Sequence, residues 1–507
     1  MSTKTRIIKD TFFYSLSTLT SQVILVIKNL LIASILAPAN FGFWKFLQLL
    51  SDYCMLSSLG IVEGLRQKIP IHTAKSEQKN VYHIRDVTFT FSLLSSSIYC
   101  IISFIIYLFI FNYTFIHSKG YPNTLPGYLI SMNIVIIFTI IYTFLWRYLS
   151  TINMFNEVSR VKVIVAVLDF GLSVFLAYKF KVAGLVAGLL LTYICAISII
   201  SRKDEFRPRF AWNTAETLNL LYLSLPLFLM GLVYKLLTSV DRIIIVKFLD
   251  KTQLGFYGIA LIASNMFNLL SLPSSHVIYP RIIEEFSRSG FIISEAFKKY
   301  ILMPVEALSY FIPPAIALVY FFMPLIVTKF LPLYVPSIKT IMLLVTGVSF
   351  LNLMSFFSFA VITIRKYKVY FFIFFIGIVI NLFLMLILIK KGYGIEGVAF
   401  SSAISYIVLT TMVIYYILSL FDYSFIYKVF LIAKTYLPLL FTISICVLIY
   451  RVLGNFIPKY NLCSAVVSLS LYFAIYVLFI YFYGRKRKVI LDLREVIKEI
   501  ILKSPQD

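Results

Sequence analysis

Apolar residues fill this chain in fourteen blocks separated by short polar connections, at about 11–36, 41–70, 87–112, 128–152, 158–178, 182–201, 218–249, 255–280, 300–324, 335–364, 369–389, 395–420, 428–450 and 462–483. A helix needs about 20 mostly apolar residues to cross a bilayer, so each block predicts a membrane span. The first block follows Lys4, Arg6 and Lys9, but it is longer than a signal-peptide core and lacks a small-residue cleavage site. It counts as the first span. The expected fold class is an all-α integral membrane protein.

The second block departs from the apolar rule. It carries Lys45, Gln48, Asp52, Glu63 and Arg66, which on a continuous helix at about 100° per residue fall within an arc of about 60°. A charge near the bilayer centre costs at least ~2.5 to 3.5 kcal/mol, so such residues turn toward a bundle interior or a water-filled cavity. The stripe predicts a wet path between two lobes. A plainer account is a set of buried ion pairs that fix packing, with Arg66 reaching the inner surface.

Two segments recur at one offset. The stretch 35–44 (ILAPANFGFW) aligns with 248–257 (FLDKTQLGFY), and 182–194 (VAGLVAGLLLTYI) with 395–407 (IEGVAFSSAISYI), both 213 residues apart, pairing Gly42 with Gly255 and Gly184 with Gly397. The offset spans six helices, an even number, so the halves run in the same direction, as in parallel transporter repeats that rock about a shared site. The expected domains are an N-lobe over 1–201, a cytoplasmic connector over 202–214, a C-lobe over 215–420, two further helices over 421–484 and a basic tail over 485–507. The tail's spacing reads as an interfacial helix.

Charge elsewhere in the spans extends the candidate site. Lys28 lies in the first helix, and its repeat partner is Asp241 in the seventh. In that seventh helix Lys235, Thr238 and Arg242 share one arc while Asp241 points toward a neighbouring helix; Pro226 kinks it and frees backbone carbonyls. Asp169, in the fifth helix, is a candidate for proton or ion coupling, because buried acids in transporters relay protons. Arg281 ends the eighth helix near the place Arg66 holds in the first repeat. The deep cations suit an anion such as a phosphate, which ammonium and guanidinium groups recognise.

Composition narrows the class. At 60% hydrophobic the chain lies well outside the soluble range of about 45 to 50%. The net charge of +24 is interleaved with spans and reads as topology rather than nucleic-acid binding. With the N-terminus inside, 31 of the 46 Lys and Arg fall on the inner side and 11 on the outer, which places both termini in the cytoplasm. The five cysteines and four histidines show neither disulfide nor metal spacing. No cofactor is expected beyond coupling to H+ or Na+.

The stretches LAPANFGFWKFLQLLSDYCMLSSLGIVEGLRQKI and SVDRIIIVKFLDKTQLGFYGIALIASNMFNLLSLPSSHVIYPRI resemble the polysaccharide-transporter family, which contains Wzx-type O-antigen and capsule flippases within the multidrug/oligosaccharidyl-lipid/polysaccharide exporter superfamily. The resemblance implies fourteen helices in two lobes. It also implies transfer of an undecaprenyl-pyrophosphate-linked oligosaccharide from the cytoplasmic to the periplasmic leaflet of the bacterial inner membrane, beside membrane lipids and other polysaccharide assembly proteins. Related lipid II flippases also use a cationic cavity. Related multidrug antiporters use an acid in helix one, where this chain has Lys28. A glycosyltransferase or polymerase would want a soluble catalytic domain or a long outer loop, and no connection exceeds about 20 residues.

The charge asymmetry predicts that a reporter fused after Arg485 reports a cytoplasmic location and one placed at Lys119 an external one. The opposite pattern at either position would overturn this topology.

Overall fold

A computed structural model describes residues 3–110, 125–202, 206–267, 279, 281–453 and 461–484. In chain order the helices are α1 (Thr3–Ile35), α2 (Pro38–Cys54), α3 (Ile61–Ala74), α4 (Gln78–Ile110), α5 (Leu125–Thr151), α6 (Phe155–Ile200), α7 (Thr214–Leu237), α8 (Val240–Phe248) and α9 (Lys251–Asn265). There follow α10 (Glu295–Phe330), α11 (Ser337–Thr363), α12 (Tyr367–Lys390), α13 (Gly394–Ser419), α14 (Phe425–Leu453) and α15 (Leu462–Phe479). No strand occurs among the described residues. Eleven helices among them are long and apolar enough to cross a membrane by length and composition. The tail expected as an interfacial helix, 485–507, lies outside the described residues.

Two expected spans are broken, and two others are joined. The 46-residue α6 turns back at Lys181, whose φ is 53°, so it supplies the two blocks expected at 158–178 and 182–201. The second block is not one helix. After α2 comes a single 3-10 turn, Met55–Ser58, and then Leu59 (φ 47°) and Gly60 (φ 69°) take left-handed conformations before α3 begins. A leucine there costs roughly 1–2 kcal/mol, and a Cβ on Gly60 would stand 2.7 Å from Phe228. The seventh block also breaks, at Thr238 and Ser239, between α7 and α8. The continuous stripe expected on helix two is therefore divided, with Lys45, Gln48 and Asp52 on α2 and Glu63 and Arg66 on α3.

The chain forms two compact units, Met1–Gly258 and Ile259–Asp507. In the first, α1 lies along α6, α5 packs on α6 and α4, and α3 packs on α7. In the second, α13 is packed between α11 and α12, and α10 meets α11, α14 and α15. Helix α12 sends Phe372, Phe375 and Phe383 outward, as suits a lipid-facing surface.

The repeat is visible within each unit. Gly184 approaches Leu176 across the α6 turn, and Gly397 approaches Leu388 across the turn between α12 and α13, where a Cβ would meet them at 2.0 and 2.9 Å. In the first unit the paired glycines meet each other's helices. A Cβ on Gly42 would stand 1.7 Å from the Lys251 carbonyl, and one on Gly255 would stand 2.0 Å from the Pro38 carbonyl. Residues 38 and 251 are also 213 apart, so the crossing of α2 and α9 is symmetric with respect to the repeat.

This backbone contact predicts that Gly42→Ala and Gly255→Ala each lose most monodisperse protein in detergent. Gly171→Ala, with nothing within 4 Å of the added carbon, is expected to behave as wild type or better. Chromatography of fluorescent fusions measures this. Equal recovery of all three variants would show that the crossing tolerates separation.

Candidate functional site

The helix breaks bring charge together in the first unit. Asp52, on the last turn of α2, accepts Lys235 Nζ at 2.8 Å and Arg242 Nη1 at 3.3 Å. Lys235 ends α7 and Arg242 begins α8, so the interruption at Thr238 lets both reach one carboxylate. The break also frees the Thr238 carbonyl, which Arg242 Nη2 takes at 3.3 Å. Beside them the hydroxyls of Tyr53 and Ser239 lie 2.5 Å apart. The Asp52 and Lys235 side chains remain 39% and 31% exposed.

Asp241 turns the other way, as its helical angle predicts. Its Oδ2 accepts the Tyr257 hydroxyl of α9 at 2.5 Å, and its Oδ1 accepts the Arg242 amide at 2.7 Å. The side chain is 1% exposed, so Asp241 orients Arg242 from behind. Tyr257 is a partner the sequence reading missed, because an aromatic residue in an apolar block carries no signal of a polar role.

Lys45 is held differently. Its Nζ donates to Gln48 Oε1 at 2.9 Å and lies 5.0 Å from the Phe41 ring centre, and among the described residues no carboxylate lies within 4 Å of it. Lys28, Arg242 and Asp52 lie within Coulombic range of it. Its stem rests where Gly258 leaves room, for a Cβ on Gly258 would stand 3.0 Å from Lys45 Cγ. Positions 45 and 258 are themselves repeat partners at the 213 offset.

Lys28 and Asp169 form a second group. Their charged atoms lie 2.5 Å apart with the side chains 6% and 15% exposed, and the Ser173 hydroxyl donates to the other Asp169 oxygen at 2.7 Å. Toward the other end of the unit, Glu63 pairs with Arg66 at 3.0 Å and with Arg147 of α5. Arg147 gives no sign of this pairing in the sequence, because the positive-inside rule already accounts for a basic residue at the end of the fourth block. Gln67 donates to the Leu223 carbonyl at 3.3 Å, one residue from the Tyr222 carbonyl that Pro226 leaves without its helical donor. Arg281, in the second unit, lies 3.8 Å from Glu284, which also holds Arg288 at 2.9 Å.

In the connection between α3 and α4, His72 and Asn80 both bond the Glu77 carboxylate, at 2.6 and 2.9 Å. The His72 contact, then the Asn80 contact, hold that carboxyl below the usual glutamate range. Among the described residues, no group of His, Cys, Asp or Glu is placed to hold a metal ion.

The family described as polysaccharide biosynthesis protein matches residues 31–332. The fold is similar to that of the lipid II flippase MurJ in an inward closed conformation, with a TM-score of 0.69 and 17% identity over 94% of this chain and 99% of that one. It is also similar to a multidrug resistance MATE family transporter of the MOP superfamily. In the inward-facing conformation the TM-score is 0.63 with 13% identity over 82% of this chain and 95% of that one, and in the outward-facing conformation it is 0.59 with 13% identity over 84% and 96%. No curated protein sequence shows a significant match. The all-α membrane fold is thus MurJ- and MATE-like.

Removing one member of a buried ion pair costs about 3–5 kcal/mol because the other charge is stranded. Lys28→Ala alone should therefore lower the amount of folded protein sharply, and Lys28→Ala combined with Asp169→Ala should recover most of it. Thermal unfolding of the purified variants in detergent measures the recovery, and a double variant no more stable than the single would remove the pairing as a stability element.

Proposed function

The chain belongs to the polysaccharide biosynthesis protein family, and from that membership we propose that it is a flippase for a lipid-linked oligosaccharide. Its substrate is an undecaprenyl-pyrophosphate-linked O-antigen or capsule repeat unit, moved from the cytoplasmic to the periplasmic leaflet of the inner membrane by alternating access. Both termini are cytoplasmic. The observation that carries the reading is the half-open Asp52–Lys235–Arg242 cluster beside Lys45, which has no carboxylate within 4 Å among the described residues. Ions this exposed inside membrane-spanning segments cannot face hydrocarbon, so they line water. The four cations Lys28, Lys45, Lys235 and Arg242 outnumber the three carboxylates Asp52, Asp169 and Asp241, leaving a surplus that suits a pyrophosphate or an acidic sugar.

In this mechanism the anion competes with Asp52 for Lys235 and Arg242. The cluster is held by ion pairs when empty and by substrate when loaded. Arg242 offers a planar fork and Lys235 a mobile point charge, and Asp241 with Tyr257 keeps the fork aimed. Glu63, Arg66 and Arg147 form a separate gate-like network on α3 and α5, and Asp169 is the group for proton or ion coupling through Lys28.

A lipid II or other cell-wall precursor is the second reading, favoured by the MurJ-like fold, since MurJ is a lipid II flippase. Export of organic cations fits less well, because α1 has no acid after Asp10 and carries the cation Lys28 instead.

Lys235→Ala and Arg242→Ala should each leave normal abundance, since Asp52 retains the other cation, yet stop surface glycan assembly in a complemented deletion strain. Lys235→Arg should restore part of it. Asp52→Ala frees two cations at once and should lower abundance more than either. Normal glycan from both cation variants would sink the cationic-site mechanism.

A further inference from the structure

Lys45 is not alone in lacking a carboxylate. Lys162 lies seven residues into α6, about 10 Å along the helix from its start, and it too has no carboxylate within 4 Å among the described residues. Its Nζ donates to Thr18 Oγ1 at 3.0 Å and lies 4.7 Å from the Tyr14 ring centre and 5.1 Å from that of Trp146. The surrounding groups are donors. Trp146 Nε1 is buried without an acceptor, and so is Nε of the adjacent Arg147. Among the described residues, Glu63 is the one carboxylate paired with Arg147, and it is shared with Arg66.

Among the described residues, Lys162 rests against two aromatic rings with no carboxylate within 4 Å, and the neighbouring Arg147 shares its one paired carboxylate, Glu63, with Arg66. Purely structural roles account poorly for this balance. Cation–π contact stabilises a lysine, but by less than the cost of an uncompensated charge within a membrane. The orphaned indole and guanidinium N–H groups are further donors with no protein acceptor. All of them would be satisfied by one anion.

We propose that Lys162, Trp146 and Arg147 form a second anion site, on the cytoplasmic side of the first unit, that receives a lipid-borne pyrophosphate before it reaches Lys45, Lys235 and Arg242. The proposal rests on the flippase reading for its ligand. Lys162 supplies a mobile charge, Arg147 a fork that leaves Glu63 as the anion arrives, and Trp146 an N–H donor and a flat face for the first sugar. Tyr14 holds the lysine stem from α1. Because Arg147 and Arg66 share Glu63, arrival of the anion also loosens the tie between α3 and α5.

The test is native mass spectrometry of the purified full-length protein with three separate probes: undecaprenyl pyrophosphate, phosphatidylglycerol and inorganic pyrophosphate. Lys162→Ala should weaken undecaprenyl pyrophosphate binding at least about tenfold, as expected for loss of a charge-assisted contact, and Lys162→Arg should stay within about threefold of wild type. Lys162→Met keeps the packing but removes the surplus charge, and its melting temperature should equal or exceed that of wild type. Phosphatidylglycerol or inorganic pyrophosphate competing as well as the prenyl lipid would overturn the assignment, as would unchanged binding by Lys162→Ala or a melting point that falls with the charge. If Lys45→Ala weakens binding while Lys162→Ala does not, this site fails and the flippase reading stands. If the wild type binds none of the prenyl lipid, both fall.

Discussion

A charge inside a bilayer must be paired, hydrated or neutralised, and that constraint shapes the first unit. Lys28 is sealed with Asp169, Asp241 is sealed with Tyr257, and Asp52 is left partly open between two cations. The charges thus run from sealed to open within one unit. Sealed pairs cost desolvation and return it only through good geometry. An open pair keeps its water, and a competing anion can replace one partner without first stripping a buried ion.

The breaks serve the same constraint. An uninterrupted helix in place of α7 and α8 would carry Lys235 and Arg242 at fixed angles, with every carbonyl already bonded. Ending α7 at Leu237 leaves the Thr238 carbonyl for the Arg242 guanidinium, which holds the fork toward Asp52. Leu59 and Gly60 act similarly for the second block, separating the part that faces Lys235 from the part that reaches Arg147. Non-helical backbone in a membrane is tolerated where protein or water satisfies its polar groups, and these breaks sit beside such groups.

Spans and charged positions were legible because both signals are strong: long apolar blocks, and the rarity of charge within them. The breaks were not. Leu59–Gly60 looks like any leucine–glycine pair in an apolar run, and Thr238–Ser239 has no proline or charge to mark it. The stripe on helix two was drawn on a continuous helix, and its two halves belong to separate networks. Asp241's turn toward a neighbour was legible from its angle, while its partner Tyr257 was not. Lys162 and Arg147 were hidden for another reason: near a span end, the positive-inside rule absorbs every basic residue as topology, whether or not it has a second role.

The repeat shows how a symmetric scaffold comes to hold an asymmetric site. Gly42 and Gly255 each receive the other's helix, with Pro38 and Lys251 exchanged between them, so the crossing of α2 and α9 obeys the 213-residue register at backbone level. Three residues further along, the register yields Lys45 on one helix and Gly258 on the other. A lysine at both places would put two ammonium groups side by side with no carboxylate within 4 Å among the described residues, and the repulsion would push apart a crossing that depends on contact closer than a Cβ allows. A glycine at both would remove the cation. One of each lets the lysine stem lie across the partner helix and keeps a single positive charge at the crossing, within range of Arg242 and Asp52. The same backbone contact that joins the helices therefore fixes where the unneutralised charge sits.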